Sequence, residues 1–132
     1  MGVSFFDATV LIVDDSVIIR RHLSGILKRA GVRNIHFAED GASAIHATKA
    51  RAFNLILLDW NMPKLTGLDV LRLLRSLPAT RETPIIMVTG EALRENIIAA
   101  LQSGATDYVV KPYTEELVLK KAHAALNPKV PS

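Results

Sequence analysis

The sequence predicts an α/β domain, a doubly wound five-stranded parallel sheet with helices on both faces. Five short apolar runs alternate with five longer amphipathic stretches. The runs are apolar throughout rather than at every second position, as in strands buried on both faces. Strands that alternate with helices imply parallel pairing through right-handed crossovers, which leaves only a few doubly wound orders.

The first strand spans residues 9–13, Thr9-Val10-Leu11-Ile12-Val13, and stops at Asp14-Asp15. Ser16 caps the helix that follows. Its inner face carries Ile19, Leu23, Ile26, Leu27 and Ala30, with Arg20, Ser24 and Lys28 outside and Gly31 as its stop. Residues 34–38 form a short second strand, and a turn at Asp40-Gly41 opens a second helix over 42–51. Leu55-Ile56-Leu57-Leu58 is the third strand and ends in Asp59. A third helix over 67–77 turns Leu68, Val70, Leu71 and Leu74 inward, and residues 78–83 are a loop. The fourth strand, 84–88, ends at Thr89-Gly90 and precedes a helix over 91–103 that Gly104 terminates. The fifth strand, 108–110, ends at Lys111-Pro112, and Thr114 caps the last helix. A single domain over 1–132 is expected, with its core between about residues 8 and 126 and a tail at 127–132 that frays.

Composition removes several classes of function. There is no cysteine, hence no disulfide, thiolate metal site or cysteine nucleophile. No apolar run approaches the roughly 18 residues of a membrane span, and no signal peptide opens the chain, so a cytoplasmic protein is expected. Met1-Gly2 resembles a myristoylation start, but Phe6 stands where Ser or Thr is required. The pI near 9.5 raises nucleic-acid binding. Against that, the 16 Lys and Arg residues are dispersed, with no run longer than a pair. The four histidines show no ligand spacing, and neither G-x-x-x-x-G-K-[ST] nor G-x-G-x-x-G occurs.

The chemistry collects at the strand ends. In a parallel sheet, Asp14, Asp15, Asp59, Thr89 and Lys111 all emerge at the carboxyl edge, where open α/β folds bind ligands. Each alone has an ordinary reading as a helix-end carboxylate, a cap or a solvated lysine. Together they form a constellation that independent turns would not produce. Three converging carboxylates repel one another unless a cation joins them. All-oxygen donors favour Mg²⁺, with Mn²⁺ and Ca²⁺ as alternatives, over zinc. Lys111 offers a compact charge and Thr89 a hydroxyl to a phosphoryl group, leaving Asp59 as the nucleophile that forms an acyl phosphate.

The strings Val13-Asp14-Asp15-Ser16, Asp59-Trp60-Asn61-Met62-Pro63, Gly67-Leu68, Met87-Val88-Thr89, Glu95-Asn96-Ile97-Ile98-Ala99-Ala100 and Tyr108-Val109-Val110-Lys111-Pro112 run over nearly the whole chain. In these the chain resembles the receiver domains of two-component response regulators, and within them the CheY-like chemotaxis branch. The resemblance implies the flavodoxin-like (βα)5 fold with strand order 2-1-3-4-5. It implies that Asp59 is the phosphoacceptor, that Asp15, Asp59 and the backbone carbonyl of Asn61 bind Mg²⁺ directly, and that Asp14 acts through a bound water. Lys111 and Thr89 would grip the phosphoryl group. Tyr108 matches a switch aromatic whose ring turns inward when Thr89 moves, remodelling the face of the fourth helix, fifth strand and fifth helix. Asn61, Gly90 and Glu91 match positions that tune the lifetime of the phosphate, and Pro112 matches a cis proline. Gly90, Thr66, Tyr113 and the basic charge balance depart from the chemotaxis pattern. Trp60, beside the acceptor, is expected at the site mouth as a fluorescence probe.

The expected function follows from that resemblance. It is a monomeric, stand-alone receiver phosphorylated on Asp59 by a histidine kinase of the CheA type and turned over by self-dephosphorylation or a phosphatase. The output partner would be a flagellar motor switch protein. The alternative is a phosphorelay carrier or phosphate sink that exchanges phosphate with histidine phosphotransfer proteins. A receiver cut from a DNA-binding regulator is disfavoured by the short tail. A haloacid-dehalogenase-type hydrolase is disfavoured because Asn61 stands where its general acid would be.

Overall fold

The computed structural model describes residues 2–128. The chain runs β1 (Thr9–Val13), α1 (Val17–Arg29), β2 (Asn34–Ala38), α2 (Gly41–Ala50), β3 (Leu55–Leu58), α3 (Gly67–Ser76), β4 (Ile85–Thr89), α4 (Arg94–Gln102), β5 (Asp107–Val110) and α5 (Glu115–Leu126). All strands pair in parallel, in the order β2-β1-β3-β4-β5. This is the doubly wound arrangement expected.

Alternate residues of each strand feed two cores. Val10, Ile12, Leu55, Leu57, Ile86 and Val88 pack under α1 and α5, against Leu23, Ile26, Leu27, Val118 and Ala122. Leu11, Val13, Ile56, Leu58, Ile85 and Met87 pack under α2, α3 and α4, against Ala44, Val70, Leu71, Leu74 and Ala100. Both faces of β1, β3 and β4 are covered, so these strands need no polar side, and their apolar runs reflect that. At the sheet edge, β2 departs from the expected apolar run, with Asn34 and Phe37 exposed.

Local signals account for most helix ends. The Ser16 hydroxyl accepts from Ile19 N, and Gly31 sits at φ 109°, where a side chain would be strained. Thr114 caps α5 in the same way through Leu117 N. α2 begins one residue earlier than its pattern suggests because Asp40 and Ser43 form a reciprocal capping box. The largest departure is α4, expected from residue 91 but starting at Arg94. Leu93 occupies its cap position and provides no side-chain bond. Residues 91–93 lack a Ser, Thr, Asp or Asn that could close a first turn there, and they remain loop.

Smaller differences have similar causes. β4 takes in Thr89, which pairs with Val110, and β5 takes in Asp107, which pairs with Ile86. α3 ends at Ser76 rather than 77. Ser24, expected outside, is buried, because α1 packs against both the sheet and α5. The tail expected to fray at 127–132 lies, from 129 onward, outside the described residues. Asn127 itself is tied down, its amide donating to the Val3 and His123 carbonyls.

Candidate functional site

Strand register builds the site. Val13 pairs with Leu58 in the centre of the sheet, so the next residue on each strand, Asp14 and Asp59, emerges beside the other. The backbone ladder continues one step past the strands to carry them. Asp14 N donates to Ala38 O at 3.1 Å, Asp59 N to Val13 O at 2.9 Å, and Lys111 N to Thr89 O at 2.8 Å. Asp14, Asp59 and Lys111 are therefore held by the hydrogen-bonded carboxyl edge of the sheet.

Carboxylate oxygens of Asp14, Asp15 and Asp59 lie within 4.8 Å of one another. Asp14 and Asp59 are 2% and 6% exposed, whereas Asp15 is open to solvent. The Lys111 ammonium reaches between the buried pair, 2.9 Å from Asp14 Oδ2 and 3.6 Å from Asp59 Oδ2. One ammonium against three carboxylates leaves negative charge in excess. Burial raises the Asp59 pKa and the Asp14 charge raises it further. The Thr89 hydroxyl, Lys111 and the Asn61 N–H pull it down without cancelling the rise. The donor set, all oxygen with surplus charge and one open side, fits a hard divalent cation. Among the described residues no other group of three potential metal ligands converges in this way.

The surrounding loops add the remaining expected residues. Asn61 N–H donates to Asp59 Oδ1 at 3.4 Å, folding its loop back over the carboxylate. Thr89 is fully buried, and its hydroxyl accepts from Glu91 N at 3.2 Å. Tyr108, half-buried against the α3 side of the sheet, donates from its hydroxyl to Glu91 O at 2.7 Å. Burial, then the Glu91 and Asp59 charges, push its pKa up to about 12, so it remains a donor. The Glu91 carboxylate accepts from Asn96 Nδ2 at 2.8 Å and Leu93 N at 3.3 Å, bracing the loop that α4 leaves unwound. Gly90 is exposed with open space at its absent Cβ. The Lys111–Pro112 peptide is cis, as expected. Trp60 is half-buried and packs against the α3-side core.

Four contacts around the site pair residues that no spacing in the chain predicts. The Arg20 Nη1 donates to the Asp14 carbonyl at 2.7 Å, and Ser16 N to Asp14 Oδ1 at 2.9 Å, so α1 is bolted to the acidic corner. Gly67 opens α3 directly against the acceptor segment and donates to Trp60 O at 2.7 Å. Tyr113 meets His22 across 91 residues of sequence. Only the folded topology brings Tyr113 and His22 together.

Residues 10–123 match the response regulator receiver domain family. The chain belongs to that family. As a receiver it is 40% identical over 112 residues to the chemotaxis protein CheY of Pseudomonas aeruginosa, covering 85% of this chain and 90% of that one. It is 38% identical over 112 residues to CheY-3 of Vibrio cholerae, with 85% and 86% covered. Among solved structures, Vibrio cholerae CheY4 superposes with a TM-score of 0.84 at 36% identity, covering 90% of the receiver and 98% of that chain. A CheY-like receiver domain of Methanospirillum hungatei gives 0.84 at 30% identity, with 91% and 94% covered. CheY-like receivers are signalling domains rather than classical enzymes, and the kinds of partner they imply are a histidine kinase and an output protein. No helix among the described residues is long and apolar enough to cross a membrane.

Proposed function

We propose that this receiver takes a phosphoryl group onto Asp59 from a histidine kinase and acts in the cytoplasm, in chemotaxis or flagellar motor control. The observation that carries this reading is the Lys111 ammonium held between Asp14 and Asp59 beside the open carboxylate of Asp15. An Asp59 oxygen attacks phosphorus, the bond to the donor breaks, and the donor leaves with its electron pair. Lys111 and the Thr89 hydroxyl meet the charge on the phosphoryl oxygens. Asp14, Asp15, Asp59 and the Asn61 carbonyl would hold Mg²⁺, with Mn²⁺ as a substitute. Bound there, it supplies positive charge to those same oxygens.

Output follows from a shared residue, Glu91. Glu91 donates its N–H to Thr89 and accepts the Tyr108 hydroxyl through its carbonyl. A pull on Thr89 by a phosphoryl oxygen is thus transmitted to Tyr108. Leu93, Ile98 and Leu101 around α4 and Leu117 on α5 are exposed apolar residues on the adjoining face, which supports docking of an output partner there. The open space at Gly90 and the braced Glu91 support a role for this loop, with Asn61, in setting water access to the acyl phosphate. The CheY relatives support a kinase of the CheA type and a motor switch protein as partners.

Incubation with acetyl phosphate and Mg²⁺ tests the reading. A single phosphoryl mass on Asp59 is expected, lost in Asp59→Asn. Labelling of the Asn variant at the normal rate refutes the assignment.

A further inference from the structure

Neither His22 nor Tyr113 has a part in the chemistry described so far. Their rings stack with centroids 5.5 Å apart and planes at 22°. The Tyr113 hydroxyl and His22 Nδ1 lie 2.8 Å apart. With Ile19, Lys111 and Pro112 they line one groove between α1 and the connection that follows β5.

Each partner belongs to a different half of the site. His22 sits on α1, which Ser16 and Arg20 tie to Asp14. Tyr113 follows Lys111 by two residues in the short connection to α5, and the Lys111 backbone is anchored by its bond to Thr89 O. A lysine is a point charge on a flexible stem, so where its ammonium rests depends on how firmly its backbone is held. The aromatic pair joins the lysine-bearing segment to the helix that holds the carboxylate 2.9 Å from that ammonium. Burial and the Asp14 charge push the Tyr113 pKa up to about 12, so the phenol keeps its proton across the physiological range.

Resting on the phosphoacceptor reading, we propose that His22 and Tyr113 form a positioning latch that holds the Lys111 segment against α1 and keeps its ammonium between Asp14 and Asp59. The phenol is what Tyr113 contributes beyond a phenylalanine. Removing the hydroxyl leaves the stacked ring in place but frees the segment to slide along α1.

Two readouts on Tyr113→Phe test the latch. The first is the rate of Asp59 labelling by acetyl phosphate at saturating Mg²⁺, expected to fall about three- to tenfold, the range one hydrogen bond supplies. The second is the Lys111 Cε resonance, read by NMR with no phosphodonor present and expected to shift. His22→Phe should reproduce both changes, and the double variant should add nothing. In a Lys111→Met background, Tyr113→Phe should no longer change the residual rate, whereas a merely structural bond would still do so. An unchanged Lys111 resonance overturns the latch, as does a shifted resonance with an unchanged labelling rate. If the unaltered protein is not labelled at all, it is the phosphoacceptor reading that fails, and the resonance alone decides the latch.

Discussion

Replacing Gly67 by alanine should damage the protein out of proportion to one methyl group. An ideal Cβ there would sit 2.1 Å from Asp59 O, 2.6 Å from Trp60 Cα and 2.8 Å from Asp59 C. All three are backbone atoms of the acceptor segment, so no side chain can rotate aside. The α3 N-terminus must retreat by roughly 1 Å to restore ordinary separations. Overpacking of this kind costs about 1–3 kcal/mol, and loss of the Gly67 N to Trp60 O bond adds about 1 kcal/mol. The expected destabilisation is about 2–4 kcal/mol, a large share of the roughly 5–15 kcal/mol typical of a domain. At about 4 °C per kcal/mol for this length, Tm falls by about 8–16 °C. Urea and thermal unfolding read the loss, and labelling of Asp59 should slow because its own peptide is displaced. Gly90→Ala is the control. Nothing lies within 4 Å of its Cβ position, so that variant should be neutral or about 0.4–1 kcal/mol more stable. A Gly67→Ala protein within about 0.5 kcal/mol of the parent would refute the close-approach reasoning.

Other substitutions probe the same structure. Asp59 has a folded pKa raised above its ordinary 3.8, so the native state holds that proton more tightly than the unfolded chain. The stability it contributes is present below about 3.8 and is lost as pH rises through the raised value. In chelator, Asp59→Asn should therefore gain on the parent protein as pH climbs from 4 and level off above the raised pKa, as urea midpoints would show. A constant difference across that range would be wrong for this cause. Mg²⁺ should quench Trp60 fluorescence and stabilise the parent by about 1.4 kcal/mol at tenfold excess over its Kd, with EDTA reversing both. Arg75 donates to the carbonyls of Gly104, Thr80, Arg81 and Thr83. Lysine cannot span that fork, so Arg75→Lys should cost about 1–3 kcal/mol and speed proteolytic cutting within 77–84.

The fold was legible because each buried strand advertises itself twice, as an unbroken apolar run and as a polar residue that stops it. Leu55-Ile56-Leu57-Leu58 followed by Asp59 is the clearest case. The acidic site was legible for the same reason, since its members are those stops. What stayed hidden depends on distance through space. Ser24 is buried by α1 meeting α5, and Arg20 turns back to a backbone carbonyl that no side-chain pattern reports. Tyr113 finds His22 only after the sheet has formed. The start of α4 was misjudged because the periodic residues run back to Glu91 while the capping chemistry does not.

The uniform greasiness of these strands leaves one thing unspecified. With apolar residues on both faces, β3 could slip one place against β1 and still present hydrocarbon to both cores. The charged stops forbid it. A slip that drew Asp59 inward would carry a carboxylate between Val13 and Met87, away from Lys111, at a cost of several kcal/mol for an uncompensated ion. The group proposed to receive phosphate thus also acts as a pin that aligns the sheet, and a variant that neutralises it loses a guard against mispairing along with its chemistry.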